Sequence, residues 1–135
     1  TSVLVQDLIQ KERLQSRGFP NPLSVVYHDP CFLSRYQELA APPRSVLESL
    51  PGLELRDCSR SGREGFCCGA GGGNYWNEER GQRINTARAQ EAFESGANKI
   101  VSACPFCLLM LTDGLKVFTD KNMVFDIVEL LEQNI

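Results

Sequence analysis

Five of the six cysteines in the chain form one spaced pattern. A single cysteine comes first, an adjacent pair follows, and two cysteines separated by two residues come last, at Cys31, Cys67, Cys68, Cys104 and Cys107. Adjacent cysteines are poorly placed for a disulfide with each other, because that bond would close a small strained ring. The pattern therefore favours thiolates that converge on an inorganic centre.

The number of thiolates bears on the kind of centre. Two cysteines separated by two residues occur in zinc sites, iron–sulfur sites and redox dithiols. A tetrahedral zinc site uses at most four protein ligands, so one of five thiolates would have no role. Five converging thiolates suit a multi-iron cluster better. Two alternatives stay open: a zinc-stabilised structural or interaction domain that uses four of the cysteines, and a cofactor-free dithiol oxidoreductase that uses Cys104 and Cys107.

A glycine-rich stretch directly follows the adjacent pair. Gly69 and Gly71 lie in a turn ahead of a predicted helix, where backbone amides can approach an anion without side chains in the way. The anion here would be sulfide or thiolate sulfur. The stretch lacks the lysine of a phosphate loop and the spacing of a dinucleotide fingerprint, so a nucleotide site is excluded. A helix expected after Cys104 would likewise favour ionised sulfur at its start.

Short apolar strands alternate with helical patterns along the chain. Strands are predicted at Leu23–Tyr27, Leu53–Arg56, Lys99–Ala103 and Met123–Phe125. Helices are predicted over Val3–Arg17, from Pro42 to Leu50, from Asn74 to Ser95, from Pro105 through Phe118, and from Ile127 onward. This alternation predicts an α/β fold with a mostly parallel four-stranded sheet flanked by helices.

The predicted fold explains how distant cysteines can meet. Cys31 and Cys104 each follow a predicted strand, and the adjacent pair lies on a loop that enters a helix. The cysteines therefore lie on loops at the carboxyl ends of strands, and such loops form the ligand crevice of open α/β sheets.

Composition narrows the class of protein. With 135 residues, 42% of them hydrophobic, the chain can bury a real core, so we expect one domain over residues 1–135, with residues 1–22 as a helix and linker. The net charge of −3 and scattered basic residues exclude a nucleic-acid site. Without an apolar run of ~20 residues or a signal peptide, the chain reads as soluble and cytoplasmic. Because it opens at Thr1 instead of Met, we expect a fragment of a longer protein.

The cysteine motifs resemble those of a known family. Cys31, then Cys67-Cys68-Gly69, then Cys104-Pro105-Phe106-Cys107 resemble the cysteine-rich CCG domain of heterodisulfide reductases and related iron–sulfur-binding oxidoreductases. The resemblance runs from about residue 27 to the end of the chain. It is greatest to a C-terminal copy from large membrane-associated iron–sulfur reductases.

The resemblance implies a cofactor, a function and partners. The cofactor would be a non-cubane 4Fe-4S cluster held by the five motif cysteines, although some family copies hold zinc and an isolated domain can lose its cluster in air. The function would be electron transfer within a larger oxidoreductase, from a flavin or ferredoxin-type donor to a disulfide or quinone-type acceptor. Expected partners are a second CCG module, a ferredoxin-like segment and a flavin-containing or membrane redox subunit. One module is not expected to be a complete enzyme, and the parent protein could lie at the inner face of the membrane.

Two residues near the motifs have competing interpretations. Cys58 lies outside the cysteine pattern and is interpreted as a structural thiol in the core or on a loop. His28 precedes Asp29-Pro30-Cys31 and could donate a hydrogen bond to cluster sulfur or take part in proton-coupled electron transfer. The default for His28 is a loop histidine with satisfied hydrogen bonds.

The polar helix predicted after Asn74 also carries candidates. Tyr75 and Trp76 could shield a cluster or form a docking surface, or could pack at the helix start. Four polar residues could contact an anionic substrate or a partner module, namely Arg80, Arg83, Asn85 and Arg88. Because the same helix carries several glutamates, a solvated helix face is the default for these four.

Overall fold

The computed structural model describes residues 1–135 and has an α/β architecture. The strands are β1 (Leu23–Tyr27), β2 (Leu53–Asp57), β3 (Lys99–Ser102) and β4 (Val124–Asp126). The helices are α1 (Ser2–Gln10), α2 (Ala41–Glu48), α3 (Ile84–Glu94), α4 (Pro105–Leu115) and α5 (Ile127–Glu132). Short helical turns lie at Phe32–Tyr36, Gly62–Glu64 and Gly71–Trp76.

All four strands form one parallel sheet in the order β2-β1-β3-β4. Val25 of β1 lies opposite Leu55 on one side and Lys99 on the other. The two central strands are almost completely buried because helices cover both faces, as parallel sheets require. The predicted four-stranded α/β fold is confirmed.

The sheet separates two apolar cores. Successive strand residues point to opposite faces, so Val25 joins the core beneath α2 and α5 while its neighbour Val26 joins the core beneath α3 and α4. β3 repeats this alternation with Val101 and Ile100. Both faces of β1 and β3 are thus packed against an apolar core, which fixes the position of their carboxyl ends.

The first helix is shorter than predicted. It ends at Gln10 instead of Arg17, and Glu12 takes a left-handed backbone conformation with φ 54°. The backbone amides of Arg13 and Leu14 both donate to the carbonyl of Leu8. Leu14 is the only apolar residue among residues 11–17. This segment therefore has no apolar face that could hold further helical turns against the core.

The helix predicted to run from Asn74 begins only at Ile84, so that prediction is wrong for its first ten residues. Within the predicted span the backbone is extended at Asn77 (φ −99°, ψ 144°) and left-handed at Gly81 (φ 81°), and no right-handed helix continues through either. The side chain of Asn74 donates to the carbonyl of Gly69 and to Glu79, at 2.9 and 2.8 Å. Glu79 in turn accepts the amide of Ile84 at 3.0 Å and satisfies a free donor at the start of α3.

The polar face assigned to α3 is also partly wrong. Arg80 and Arg83 are exposed, whereas Asn85 and Arg88 have no exposed surface. Asn85 donates to the carbonyl of Met110 at 3.1 Å and so joins α3 to α4. These buried polar residues are interior parts of the scaffold that carries the cysteines.

Candidate metal centre

The carboxyl ends of the two central strands supply two segments of the site. β1 leads into His28, Asp29 and Cys31, and Cys31 begins the turn Phe32–Tyr36. β3 leads to Cys104, which precedes the first turn of α4 in an extended conformation. Pro105 occupies the first helical position, where the missing amide proton costs nothing.

A buried carboxylate ties the β1 exit to the loop that carries the adjacent cysteines. Asp29 is only 3% exposed and forms an ion pair with Arg44 of α2. It also accepts the backbone amide of Gly62 at 2.7 Å. The approach to the cysteine pair is therefore fixed against the end of the sheet.

Four of the predicted ligands form one group of packed sulfurs. Cys68 and Cys107 are buried and pack together, and Cys67 and Cys104 pack against them. Cys31 is outside this packed set but lines the same cavity of about 300 Å³ as Cys68, Cys104 and Cys107. None of the cysteines forms a disulfide. The structure thus brings the predicted cysteines to one place, and metal binding by them stays a prediction.

Backbone amides surround the sulfurs. The amide of Gly69 donates to Cys67 Sγ at 3.3 Å. The amide of Gly71 near Cys67, that of Ala70 near Cys68 and those of Phe106 and Cys107 near Cys104 each favour a lower pKa of the neighbouring thiol. The glycine turn and the start of α4 therefore supply the amide donors that their sequences predicted.

Gly69 is required by both conformation and space. Its φ is 98°, which side-chain-bearing residues rarely adopt. A Cβ there would lie 3.1 Å from Met110 Cε and 3.2 Å from the amide of Asn85. A larger residue would push the amide donors away from sulfur.

The four thiols differ in acidity. Hydrogen bonds from Cys107 and from backbone amides outweigh burial and lower the pKa of Cys104 to about 6. Hydrogen bonds from Cys107 and Cys67 likewise hold the pKa of Cys68 far below its ordinary value. The pKa values of Cys67 and Cys107 are raised, first because these thiols donate to neighbouring sulfur and second because they are buried. Thiolate is therefore available for metal at neutral pH.

The sequence comparison assigns this arrangement to a family. The cysteine-rich CCG domain matches residues 25–112 of the chain. The chain belongs to the CCG family. The match spans β1 to α4 and contains all five pattern cysteines of this CCG domain.

Similar proteins carry redox names. The CCG domain is 42% identical over its full length to a probable iron-sulfur-binding oxidoreductase, FadF, of Bacillus subtilis (strain 168). It is 37% identical over 83% of its length to the EtfAB:quinone oxidoreductase of Syntrophomonas wolfei, and 35% identical over 94% to one subunit of the dihydromethanophenazine:CoB–CoM heterodisulfide reductase of Methanosarcina barkeri. The chain covers 19%, 17% and 31% of these three relatives, respectively.

The donor set of the CCG domain fits an iron–sulfur cluster. Thiolates are the ligands of such clusters, and amide donors to sulfur stabilise their negative charge. Cys31 adds a fifth thiol to the four that pack together. Five thiols exceed the four ligands of one tetrahedral zinc ion. The cavity is lined mainly by apolar residues, which limits water at the centre.

Aromatic side chains form the rim of this cavity. Tyr75 packs edge-to-face against Phe106 and Trp76, with ring centroids 5.5 and 4.9 Å apart. Trp76 is 81% exposed and Phe32 is 64% exposed. Tyr75 is therefore a packed wall residue, whereas Trp76 projects outward and is not packed at a helix start.

His28 lies directly behind the sulfurs and is 1% exposed. Its Nδ1 accepts a 2.9 Å hydrogen bond from Arg88 Nε, and its Nε2 has no hydrogen-bond partner. The imidazole and the sulfurs of Cys68 and Cys107 lie within 4.8 Å of one another. Burial, together with Arg88, lowers the pKa of His28 despite contacts with Cys68 that raise it. The default of a fully satisfied loop histidine is wrong for one ring nitrogen.

Sequence reasoning missed Arg88 as a site residue. The sequence signal was present, because Asn85, Arg88, Ala89 and Ala92 recur at helical spacing and all are buried on one face of α3. The large apolar residues Ile84 and Phe93 of the same helix are instead 37% and 38% exposed. The position of Arg88 on the same helix face as Ala89 and Ala92 would have predicted that it is buried.

Cys58 and the helices complete the description of the CCG domain. Cys58 is 5% exposed and packs among apolar residues beneath α3, as a structural thiol would. Burial raises its pKa to about 11. None of the helices combines the length and the apolar character needed to cross a bilayer.

Proposed function

We propose that this CCG domain is an iron–sulfur electron-transfer module of a larger oxidoreductase. The observation that carries the proposal is the convergence of the five pattern thiols: Cys31, Cys68, Cys104 and Cys107 line one cavity, and Cys67, whose sulfur accepts the amide of Gly69, packs beside them. The iron-sulfur name of the FadF relative supports it.

The five cysteines would hold the cluster, namely Cys31, Cys67, Cys68, Cys104 and Cys107. The finer proposal, which follows from the family resemblance, is a non-cubane 4Fe-4S cluster. Such a cluster supplies one-electron oxidation and reduction when bound. The amides around Gly69 and Gly71 would stabilise its charge, and Tyr75 and Phe106 would keep water from one side of it.

The donor, acceptor and partners are proposed from the names of the relatives. A quinone or disulfide acceptor agrees with the names of the EtfAB:quinone oxidoreductase and the heterodisulfide reductase, and the flavin-containing or ferredoxin-type donor follows from the family resemblance. The parent protein would supply a second CCG module and a ferredoxin-like segment. It would act in the cytoplasm or at the inner face of the membrane; a relative in Chromohalobacter salexigens, 39% identical over 82% of the chain, is named a probable membrane-anchored ferredoxin.

A zinc-stabilised domain is the second candidate. It is favoured by the compact group of His28, Cys68 and Cys107, whose ligand atoms are close enough for one ion. In that case the metal would contribute folding free energy and no redox chemistry.

Metal analysis of protein purified without oxygen separates the two candidates. A brown protein with about four irons and matching acid-labile sulfide, as the proposed cluster type requires, supports electron transfer. A colourless protein with one equivalent of zinc, even after anaerobic reconstitution with iron and sulfide, would overturn it. Purification in air is not an adequate test, because exposed thiolates oxidise once a cluster is lost.

A further inference from the structure

A buried pair of side chains behind the sulfurs has no role in the proposed function so far. His28 of the β1 exit and Arg88 of α3 are 1% and 0% exposed and are bonded to each other through Nδ1 and Nε at 2.9 Å. They come from segments far apart in the sequence, so only the packing of α3 on the sheet brings them together. Burying an arginine completely is costly unless its charge and its donors are compensated.

Two of the three guanidinium nitrogens of Arg88, Nε and Nη1, have partners, whereas Nη2 is buried without one. One of its terminal nitrogens donates to the carbonyl of Arg60 at 3.0 Å and lies 2.9 Å from a carboxylate oxygen of Glu91. Burial opposes ionisation of Glu91, but hydrogen bonds from Ser59 and Arg60 outweigh it and lower the pKa of Glu91 to about 2. The guanidinium is thus held by a carboxylate and a carbonyl on one side and by His28 on the other.

The contact with Arg88 determines where the proton of His28 resides. A guanidinium has five N–H donors and no acceptor, so the nitrogen that it faces must offer a lone pair. Nδ1 of His28 is therefore unprotonated, and the neutral imidazole carries its proton on Nε2. Nε2 has no hydrogen-bond partner, and the imidazole lies within 4.8 Å of the sulfurs of Cys68 and Cys107.

The backbone of His28 is also fixed. Its amide donates to the carbonyl of Val101 at 2.8 Å, and its own carbonyl accepts from the hydroxyl of Ser102 at 3.1 Å. β3 therefore holds the residue from the side opposite α3. The backbone of His28 and the Nδ1 side of its imidazole are therefore both held.

We propose that Arg88 is a positioning residue that locks His28 in its Nε2–H tautomer and so makes His28 a hydrogen-bond donor to the sulfurs at Cys68 and Cys107 instead of a metal ligand. Ligation through Nε2 would require the lone pair that the proton occupies, and moving the proton to Nδ1 would place N–H against the N–H of Arg88. The pair thereby disfavours the His-Cys-Cys zinc site that the distances alone permit.

The part of this inference that concerns a cluster depends on the proposed function. An N–H donor at sulfur stabilises the more negative, reduced state of an iron–sulfur cluster more than the oxidised state. His28 would therefore raise the reduction potential. The tautomer itself does not depend on metal and is tested first.

His28 is the only histidine in the chain, which makes its tautomer directly measurable. In metal-free protein labelled with ¹⁵N-histidine, long-range ¹H–¹⁵N spectra should show a protonated Nε2 and an unprotonated Nδ1. Arg88→Met should abolish this preference and give a mixture of tautomers. Arg80→Met, at an exposed arginine ahead of the same helix, is the matched control and should leave the spectrum unchanged.

Two results would overturn the tautomer assignment. One is a protonated Nδ1 in the unsubstituted protein, which needs no variant to fold. The other is a folded Arg88→Met protein whose tautomer is as fully fixed as before. Neither result depends on whether the protein binds iron.

The role toward a cluster is tested by redox titration of reconstituted protein. His28→Leu should retain its iron and sulfide but have a lower midpoint potential, by the equivalent of about tenfold in the one-electron equilibrium constant, or about 59 mV. His28→Gln, whose amide can still donate, should recover part of the shift. An unchanged potential in His28→Leu, or loss of its iron, would contradict a donor role. If the unsubstituted protein binds no iron, the proposed function fails while the tautomer result stands.

Discussion

Cys58 and Cys68 are both buried, at 5% and 3% exposure, yet their surroundings give them opposite chemistry. Cys58 lies among apolar side chains beneath α3, and burial raises its pKa to about 11. Cys68 lies among thiols, a backbone amide and an imidazole, and hydrogen bonds from Cys107 and Cys67 hold its pKa far below the ordinary value.

The difference shows that a buried cysteine without hydrogen-bond donors is unreactive, whereas a buried cysteine with such donors is acidic. Desolvation disfavours thiolate at both positions, so acidity at Cys68 requires donors that outweigh it. Those donors come from a turn beginning at Gly69 and from the first turn of α4, and both lie at the carboxyl edge of the sheet. Cys58 follows β2 at the same edge but has no comparable donors.

Removing each of the two thiols is the most direct way to break this comparison. Cys68→Ser should abolish binding of iron and sulfide, because a serine hydroxyl cannot replace the thiolate of Cys68 as a ligand. Cys58→Ser should keep the full metal content and lose about 1 kcal/mol of stability from burying a hydroxyl among apolar groups. Metal analysis and urea unfolding measure the two effects. Iron loss from Cys58→Ser would mean that the ligand set is wrong.

Thiol reactivity sharpens the same contrast in metal-free protein. Cys104 is half-buried with a pKa of about 6, so it is mostly thiolate at pH 7, whereas Cys58 is almost entirely thiol. Alkylation by iodoacetamide should therefore be about a thousandfold faster at Cys104. Time-resolved peptide mass spectrometry gives both rates from one sample. Equal rates would refute the assigned acidities.

A pair of glycine substitutions tests whether the turn at Gly69, which supplies backbone amides to the sulfurs, tolerates a side chain. Gly62 and Gly69 both have positive φ, but a Cβ at Gly62 meets nothing within 4 Å while one at Gly69 meets Met110 and Asn85. Gly62→Ala should cost about 1 kcal/mol from backbone strain alone. Gly69→Ala should cost about 3 kcal/mol, because overpacking is added, and should lower metal content. Denaturant unfolding with metal analysis checks both, and equal costs would show that the contacts at Gly69 relax freely.

Glu91 links the surroundings of Cys68 and Cys58, since it forms an ion pair with Arg88 behind the sulfurs and lies beside Cys58 near the end of α3. Its pKa of about 2 in the folded state lies below the value near 4.3 in an unfolded chain. Its contribution is therefore complete above about pH 4.3 and is lost as pH falls toward 2. Glu91→Gln should flatten the fall in unfolding free energy over this window, by about 1 kcal/mol. Acid unfolding curves that coincide with those of the unsubstituted protein would remove Glu91 from this role.

The two wrong predictions about α3 have a common cause. Its helix start and its buried face were assigned from local polarity, which cannot register that Asn74 and Glu79 hold a loop or that Arg88 has partners at His28 and Arg60 in distant segments. A buried arginine with partners looks like an exposed one in sequence. The strands were easier, because fully buried parallel strands are read from short apolar runs.

The sequence by itself determined the order of strands and helices and the grouping of five cysteines, because periodicity and cysteine spacing are properties of the chain alone. Only the tertiary structure decided that four of these cysteines pack together while Cys31 lies apart from them at the cavity. It also decided that Arg88 faces inward and directs the imidazole of His28 toward sulfur. These features depend on which side of α3 packs on the sheet, and that choice is made by contacts between residues remote in sequence.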